Sequence, residues 1–164
     1  FTAQVPTNNK NATIDGFEIA FQHFFGESGF GVQANYTTVN GDIDFDVNAD
    51  PTTTQFALVG LSDTANFIAM YENDDFQARI AYNYRSERLA GQGGWGALNL
   101  YQAPTSYVDI SASYDIDENF SVYAQGSNIT GEYEDYYLQW EDQYAFQNYY
   151  ETRYIVGVRA KFWA

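Results

Sequence analysis

Apolar and polar residues alternate in the last stretch of the chain. From Tyr154 to Phe162 every even-numbered residue is apolar or aromatic, whereas Arg153, Arg159 and Lys161 occupy odd positions. Because successive side chains of a strand point to opposite faces, this pattern predicts a β-strand with one apolar and one cationic face. A half-buried strand of a soluble antiparallel sheet would show the same pattern, so the interpretation depends on whether it recurs.

Six further segments alternate in the same way and predict an all-β, antiparallel protein. They begin at Ile14, Phe30, Thr64, Phe76, Val108 and Phe120. The alternation is clearest in Phe76–Arg85 and weakest in Thr64–Glu72. With the C-terminal strand they predict a meander of about seven strands, and no segment favours a helix.

The connections between the predicted strands are of two kinds. Gly26–Gly29, Asn73–Asp75 and Asp117–Asn119 predict tight turns, whereas 39–63, 86–106 and 128–148 predict long loops. Aromatic residues stand near the strand ends at Phe25, Phe30, Phe76, Tyr84, Phe120, Tyr154 and Phe162. Short turns at one end of the sheet, long loops at the other, and aromatic residues near the strand ends are typical of outer-membrane β-barrels. The pattern therefore predicts a transmembrane β-barrel, with a soluble β-sandwich or barrel as the alternative.

The composition narrows the class of protein. Aromatic residues make up 19% of the chain, yet the mean hydropathy is only −0.43. No run approaches the roughly 20 apolar residues of a transmembrane helix, so only strands could span a bilayer. The formal charge of −15 excludes a nucleic-acid-binding surface, which needs clustered Lys and Arg. The absence of cysteine excludes disulfides, a thiolate metal site and a cysteine nucleophile.

Seven strands do not close a barrel by themselves. Outer-membrane barrels of one bacterial chain have even strand numbers from about eight upwards. An open sheet would leave unpaired backbone groups in hydrocarbon, which is unfavourable. Phe1–Asn11 is polar, predicts a loop and lacks a signal-peptide pattern. We therefore expect a piece of a larger barrel, unless 1–11 contains a further strand.

Six segments, in order along the chain, resemble the C-terminal barrel region of TonB-dependent receptors. They are Ile14–Glu18, Gly29–Thr37, Ala78–Ser86, Val108–Tyr114, Gly126–Glu132 and Tyr154–Phe162. The resemblance implies a protein of the Gram-negative outer membrane that belongs to a receptor importing a small nutrient. Ala164, which follows Trp163, departs from the aromatic C-terminus usual in the family.

The resemblance also implies domains and partners. Receptors of this family carry an N-terminal plug inside a barrel of about 22 strands. Residues 1–164 then correspond to the last seven strands, with the plug and the earlier strands absent. The implied partners are outer-membrane lipid, the remainder of the receptor, the nutrient, and the TonB complex, which acts through the absent N-terminal region.

The predicted long loops place aromatic residues among Asp, Glu, Asn and Gln. Such a mixture suits stacking on sugar rings and hydrogen bonding to their hydroxyl groups. The alternative is that the rings pack the loops against one another. Because the loops are acidic, a carbohydrate is favoured over a negatively charged ferric siderophore. The candidate ligand-binding residues are Trp95, Tyr101, Tyr133, Tyr136, Tyr137, Trp140 and Tyr144.

A second group of residues occupies the positions of the predicted strands that point to their polar face. In a barrel these side chains would face the lumen and pair with one another or with the rest of the receptor. A path for the substrate is the alternative role. The predicted lumen-facing residues are Glu18, Arg79, Arg85, Asp109, Asp115, Arg153, Arg159 and Lys161.

No metal site, cofactor or catalytic group is predicted. Asp42, Asp44 and Asp46 partly match a calcium-binding loop, but the Gly and the closing Glu of such loops are missing. His23, the sole histidine, has the lipid-facing parity near a turn and is interpreted as an interfacial residue. The sequence therefore predicts a protein that is not an enzyme.

Two other functions remain open from the sequence. Strands with two open edges and an apolar face could pair edge to edge into a β-rich assembly or fibril, a structural role for the isolated chain. A small autonomous β-barrel or a soluble sugar-binding sandwich would instead be a monomer without detergent. The membrane interpretation requires an exposed apolar face, whereas a soluble sandwich requires that face to be buried.

Overall fold

The computed structural model describes residues 11–46, 48–49, 55–95 and 98–162. The regular secondary structure of these ranges is entirely β. The strands are β1 (Ile14–Phe24), β2 (Phe30–Gly41), β3 (Thr64–Glu72), β4 (Phe76–Arg85), β5 (Arg88–Trp95), β6 (Leu98–Gln102), β7 (Thr105–Asp115), β8 (Phe120–Ser127), β9 (Tyr133–Leu138), β10 (Tyr144–Tyr149) and β11 (Arg153–Ala160). Of the loop predicted at Phe1–Asn11, all but Asn11 lies outside the described residues, as do the last two residues, Trp163 and Ala164. Within the described ranges, no helix is long and apolar enough to cross a membrane.

Seven strands form the main sheet, in the order β1-β2-β3-β4-β7-β8-β11. All neighbours pair antiparallel, which confirms the predicted meander. β3 and β4 have the bounds that the sequence predicts. Short turns join β1 to β2, β3 to β4 and β7 to β8, and we call this side of the sheet the turn end. The opposite side, where the long connections lie, is the loop end.

The connections predicted as loops at 86–106 and 128–148 contain four strands that the sequence pattern does not indicate. β5 and β6 form one hairpin and β9 and β10 another, and β6 pairs with β9 to make a second sheet of order β10-β9-β6-β5. The β5–β6 register shifts at Gly91, and the β9–β10 register shifts between Tyr144 and Phe146. Each shift breaks the period-two pattern by which a strand is recognised in a sequence.

The register of the main sheet separates its side chains into two faces. Residues directly opposite one another on antiparallel strands project to the same side. One row across the sheet reads Phe21, Ala34, Phe67, Tyr82 and Val108, and it defines the apolar face. Another reads Arg79, Ser111, Gln125 and Ile155, and it defines the polar face. The two faces are those that alternation predicts.

The apolar face is exposed and covers no core. Val156 is 81% exposed and Val158 68% exposed, although both lie in the middle of β11. Among the described residues no hydrophobic side chain is fully buried. A soluble sandwich of this length would bury such a face against a second layer. The exposure therefore agrees with a sheet whose apolar side is covered by lipid.

Aromatic rings form a row along the turn end of the apolar face. The Tyr71 ring lies between those of Phe30, at 4.7 Å, and Phe76, at 6.2 Å. The ring of His23 lies edge-on to that of Phe25, at 4.8 Å. These residues are placed as in the interfacial girdle that the sequence predicts, and His23 lies within it.

Two of the tight turns are closed by the same side-chain hydrogen bonds. Asn73 Oδ1 accepts hydrogen bonds from the N–H groups of Asp75 and Phe76, at 3.1 and 2.8 Å. Asp117 Oδ1 accepts hydrogen bonds from those of Asn119 and Phe120, at 2.8 and 2.9 Å. Asn and Asp favour turns because their side chains replace missing backbone partners in this way.

On the polar face, aromatic rings cover glycines of the neighbouring strand. Phe24 is opposite Gly31, and Tyr123 is opposite Gly157. A Cβ added to Gly31 would lie 2.7 Å from the Phe24 ring, and one added to Gly157 would collide with the Tyr123 ring. These two glycines therefore provide the space in which the rings lie flat against the sheet.

Candidate functional site

The second sheet places three of the seven candidate ligand-binding residues together at the loop end. Tyr101 lies on β6, Tyr137 on β9 and Tyr144 on β10, and cross-strand pairing makes them one row on one face. The rings of Tyr101 and Tyr137 stack in parallel with their centroids 5.4 Å apart. Tyr144 is 68% exposed at the end of this row. We call Tyr101, Tyr137 and Tyr144 the tyrosine row.

Carboxylates border the tyrosine row. Glu87, Asp135 and Glu141 line a groove of about 390 Å³ together with Tyr137 and Tyr144. Burial and a hydrogen bond to Glu87 raise the pKa of Tyr137 above its ordinary value, and burial raises that of Tyr101. Both side chains are therefore neutral phenols at physiological pH, and they offer a ring face and a hydroxyl to a ligand.

The other candidate aromatics are more dispersed. Tyr136 lies on the opposite face of the second sheet, where its ring stacks on Phe146 at 4.5 Å. Tyr133, at the start of β9, and Trp140, in the turn after β9, are both exposed. Trp95 ends β5, and its side chain lies outside the described part of the chain.

The structure adds aromatic residues that sequence reasoning missed. Phe146 stacks on Tyr136, and Tyr149 is opposite Tyr133 with its side chain exposed. The loop prediction at 128–148 gave no reason to pair residues across β9 and β10. If the ends of β9 and β10 had been predicted, both pairs would have followed, because partners in a hairpin lie directly opposite one another.

The residues predicted to face the lumen share the polar face of the main sheet. Their register partners include Thr37 for Glu18, Ser111 for Arg79, and Ser121 for both Asp115 and Arg159. Lys161 follows β11 and lines the same cavity, of about 700 Å³, as Arg79, Asp115 and Arg159. Together the predicted set is Glu18, Arg79, Arg85, Asp109, Asp115, Arg153, Arg159 and Lys161.

Two of the three carboxylates considered as calcium ligands accept hydrogen bonds from backbone N–H groups. Asp42 Oδ1 accepts a hydrogen bond from the Thr13 N–H at 2.8 Å, and Asp46 Oδ1 accepts one from the Asn48 N–H at 2.9 Å. Within the described ranges, no group of three or more His, Cys, Asp or Glu side chains could hold a metal ion.

Comparison with known proteins identifies the family. The family model described as TonB dependent receptor-like, beta-barrel matches residues 1–129. No curated protein and no solved structure matches the chain. The matched residues include six of the seven strands of the main sheet, all except β11, with both the apolar face and the polar face. The chain therefore belongs to the TonB-dependent receptor β-barrel family, whose members are transporters and receptors of the Gram-negative outer membrane, not enzymes.

Proposed function

We propose that this chain is part of a receptor that binds and imports a carbohydrate, and that the tyrosine row is the contact surface for the sugar. The observation that carries the proposal is the row of stacked and exposed rings beside Glu87, Asp135 and Glu141. A pyranose has an apolar face of C–H groups and a rim of hydroxyls. Aromatic ring faces can stack on the apolar C–H face of the sugar, and carboxylates can accept hydrogen bonds from its hydroxyls.

The charge of the loops supports a neutral ligand over an anionic one. Glu87, Asp135 and Glu141 surround the groove, and the whole chain has a formal charge of −15. A negatively charged ferric siderophore would be repelled by such a surface, whereas an uncharged sugar would not. Hydrogen bonds between ionised carboxylates and hydroxyls are also stronger than those between neutral groups.

We further propose that residues 1–164 are the C-terminal segment of a larger barrel, which holds a plug and earlier strands. Among the described strands, β1 and β11 each have a neighbour on one side only. Unpaired strand edges are not tolerated in hydrocarbon, so the remainder of the receptor would supply the missing partners. The TonB complex would then act through that remainder.

Titration of the whole receptor tests the ligand class. We expect neutral oligosaccharides to bind to the detergent-solubilised receptor in calorimetry, and ferric siderophores not to bind. Tyr144→Ala should weaken binding by about tenfold, as expected for loss of one well-placed contact. Tyr114→Ala, which removes an exposed ring at the turn end, is the matched control and should bind normally. Binding of a ferric siderophore but no sugar would refute the carbohydrate proposal.

A structural role of the isolated chain is the second candidate, and the two open edges favour it. Every residue of β1 is exposed, so its backbone groups are accessible to another strand. Ordered fibres in electron micrographs of the chain without detergent would support this role. Amorphous precipitate would indicate a membrane segment that lacks its lipid.

A further inference from the structure

A second cavity lies between the polar face of the main sheet and the second sheet. Its volume is about 420 Å³, within the range of roughly 300–1,000 Å³ that is usual for small-molecule sites. Polar side chains from β3, β4, β6, β7 and β9 line it. They are Thr64, Asn66, Asn83, Arg85, Gln102, Thr105, Tyr107 and Glu134.

Two register rows of the main sheet form the floor of the cavity. Thr64, Arg85 and Thr105 are opposite one another on β3, β4 and β7. Asn66, Asn83 and Tyr107 make the next row on the same strands. The floor is thus a patch of hydroxyl and amide groups with one cation, placed by strand pairing and not by mobile loops.

The second sheet supplies the wall of the cavity, and one of its polar groups lacks a partner. Gln102 is only 2% exposed, and its Oε1 has no hydrogen-bond donor among the described residues. Glu134, also on the wall, accepts hydrogen bonds from the hydroxyl of Tyr136 and the amide of Asn148, at 3.1 and 3.4 Å. A buried acceptor without a donor is unfavourable, so Gln102 Oε1 is poised for a donor that enters the cavity.

We propose that this cavity is a subsite for one ring of a neutral, polyhydroxylated ligand, with Gln102 Oε1 accepting a hydrogen bond from a ligand hydroxyl. The proposal rests on the carbohydrate function and adds a second contact surface to the tyrosine row. Hydroxyl groups can both donate to Gln102 and accept from Arg85 and Asn83. Arg85 and Glu134 carry opposite charges, which disfavours a ligand with a large net charge.

The test compares variants of the full receptor with a panel of neutral mono- and disaccharides in calorimetry. Gln102→Leu keeps the size of the side chain and removes the acceptor. We expect it to weaken the binding of the best sugar by about tenfold or more. Gln33→Leu makes the same change at an exposed position of the polar face and should leave binding unchanged. If Gln102→Leu does not fold, Asn83→Ala tests the floor in the same titration, with the same expected loss.

The outcomes separate this inference from the function on which it rests. Sugar binding that requires Tyr144 but is unaffected by both Gln102→Leu and Asn83→Ala would overturn the subsite and leave the carbohydrate function standing. Absence of sugar binding by the unaltered receptor would overturn both proposals.

Discussion

Asn128 holds both backbone groups of Glu132. Its Oδ1 accepts a hydrogen bond from the Glu132 N–H, and its Nδ2 donates one to the Glu132 carbonyl, each at 2.8 Å. The same Nδ2 donates to the Tyr150 carbonyl at 2.8 Å, and the Asn128 N–H donates to Asp109 Oδ1 at 2.9 Å. Asn128 is 7% exposed and has a φ of 50°, a conformation that asparagine tolerates better than most residues. This side chain therefore fixes the position at which the chain leaves β8 and returns towards β11.

Asn128→Gly should loosen the segment between β8 and β9. Glycine tolerates the positive φ, so the change removes chiefly the side-chain hydrogen bonds. The carbonyls of Glu132 and Tyr150 and the Glu132 N–H lose their side-chain partner, and we expect a loss of about 1–3 kcal/mol in the free energy of local opening. Hydrogen exchange at the Glu132 amide measures it. Asn128→Asp, which is isosteric but places an acceptor against two carbonyls, should be at least as harmful; unchanged exchange in both variants contradicts the role of Asn128.

Gly157→Ala should destabilise the contact between β8 and β11. The new methyl group would collide with the Tyr123 ring, and displacement of the ring should cost about 1–3 kcal/mol. In a Tyr123→Ser background the same substitution should cost much less, because the obstructing ring is gone. Thermal unfolding of the four proteins in detergent forms a double-mutant cycle. Equal costs in the two backgrounds would show that the ring does not need this space.

Adjacent arginine substitutions in β11 test the assignment of the two faces. Val156 lies on the apolar face and Ile155 on the polar face, so Val156→Arg places a charge in hydrocarbon and Ile155→Arg does not. A charge on the lipid side of a barrel strand costs about 2–4 kcal/mol near the middle of the bilayer. We expect the fraction folded in lipid vesicles, read from heat-modifiable gel mobility, to fall for Val156→Arg only. Similar folding of the two variants would argue against a lipid-covered face.

Acid should release the segment that leads into β3. Hydrogen bonds from the Thr38 hydroxyl, the Val39 N–H and the Tyr36 hydroxyl hold the pKa of the Asp63 carboxyl below its ordinary value of 3.8. A depressed carboxyl pKa contributes stability above the unfolded pKa, and this contribution is lost as pH falls through the folded pKa. Protection of the Val39 amide from exchange should therefore fall below about pH 4. Asp63→Asn should abolish this pH dependence, and a retained dependence would assign it to another group.

Asp117→Ala should weaken the turn between β7 and β8. The substitution removes the oxygen that accepts hydrogen bonds from the Asn119 and Phe120 N–H groups, at a cost of about 0.5–2 kcal/mol. Asp117→Asn keeps the acceptor, as Asn73 does in the turn between β3 and β4, and should be nearly neutral. Refolding rates and denaturant midpoints in detergent measure both variants. Equal effects of Ala and Asn would mean that these hydrogen bonds are not the source of stability.

The main sheet could be predicted from the sequence because one physical rule governs it. Lipid on one side and water on the other impose strict alternation, and strands such as Phe76–Arg85 follow it from end to end. The second sheet obeys no such rule. Tyr136 and Tyr137 are neighbours on opposite faces of β9, and both are aromatic, so the two faces of the strand do not differ in polarity. The shifts at Gly91 and between Tyr144 and Phe146 obscure the period further.

The candidate site could also be predicted only in part from the sequence. The tyrosines could be chosen from their setting among carboxylates, but the stacking of Tyr101 on Tyr137 depends on pairing between segments more than thirty residues apart in sequence. Nothing in the sequence around Gln102 or Glu134 indicates a pocket. They come together because β6 and β9 lie over the polar face, which is a consequence of topology and not of any motif.

Pairing of β6 with β9 has a mechanical consequence for the loop end. The β5–β6 hairpin and the β9–β10 hairpin share one hydrogen-bonded ladder, in which Leu100 is opposite Leu138 and Tyr101 is opposite Tyr137. Neither can swing outward alone without breaking that ladder. The two hairpins should therefore move together as one unit, and a force applied to either would be transmitted to the other.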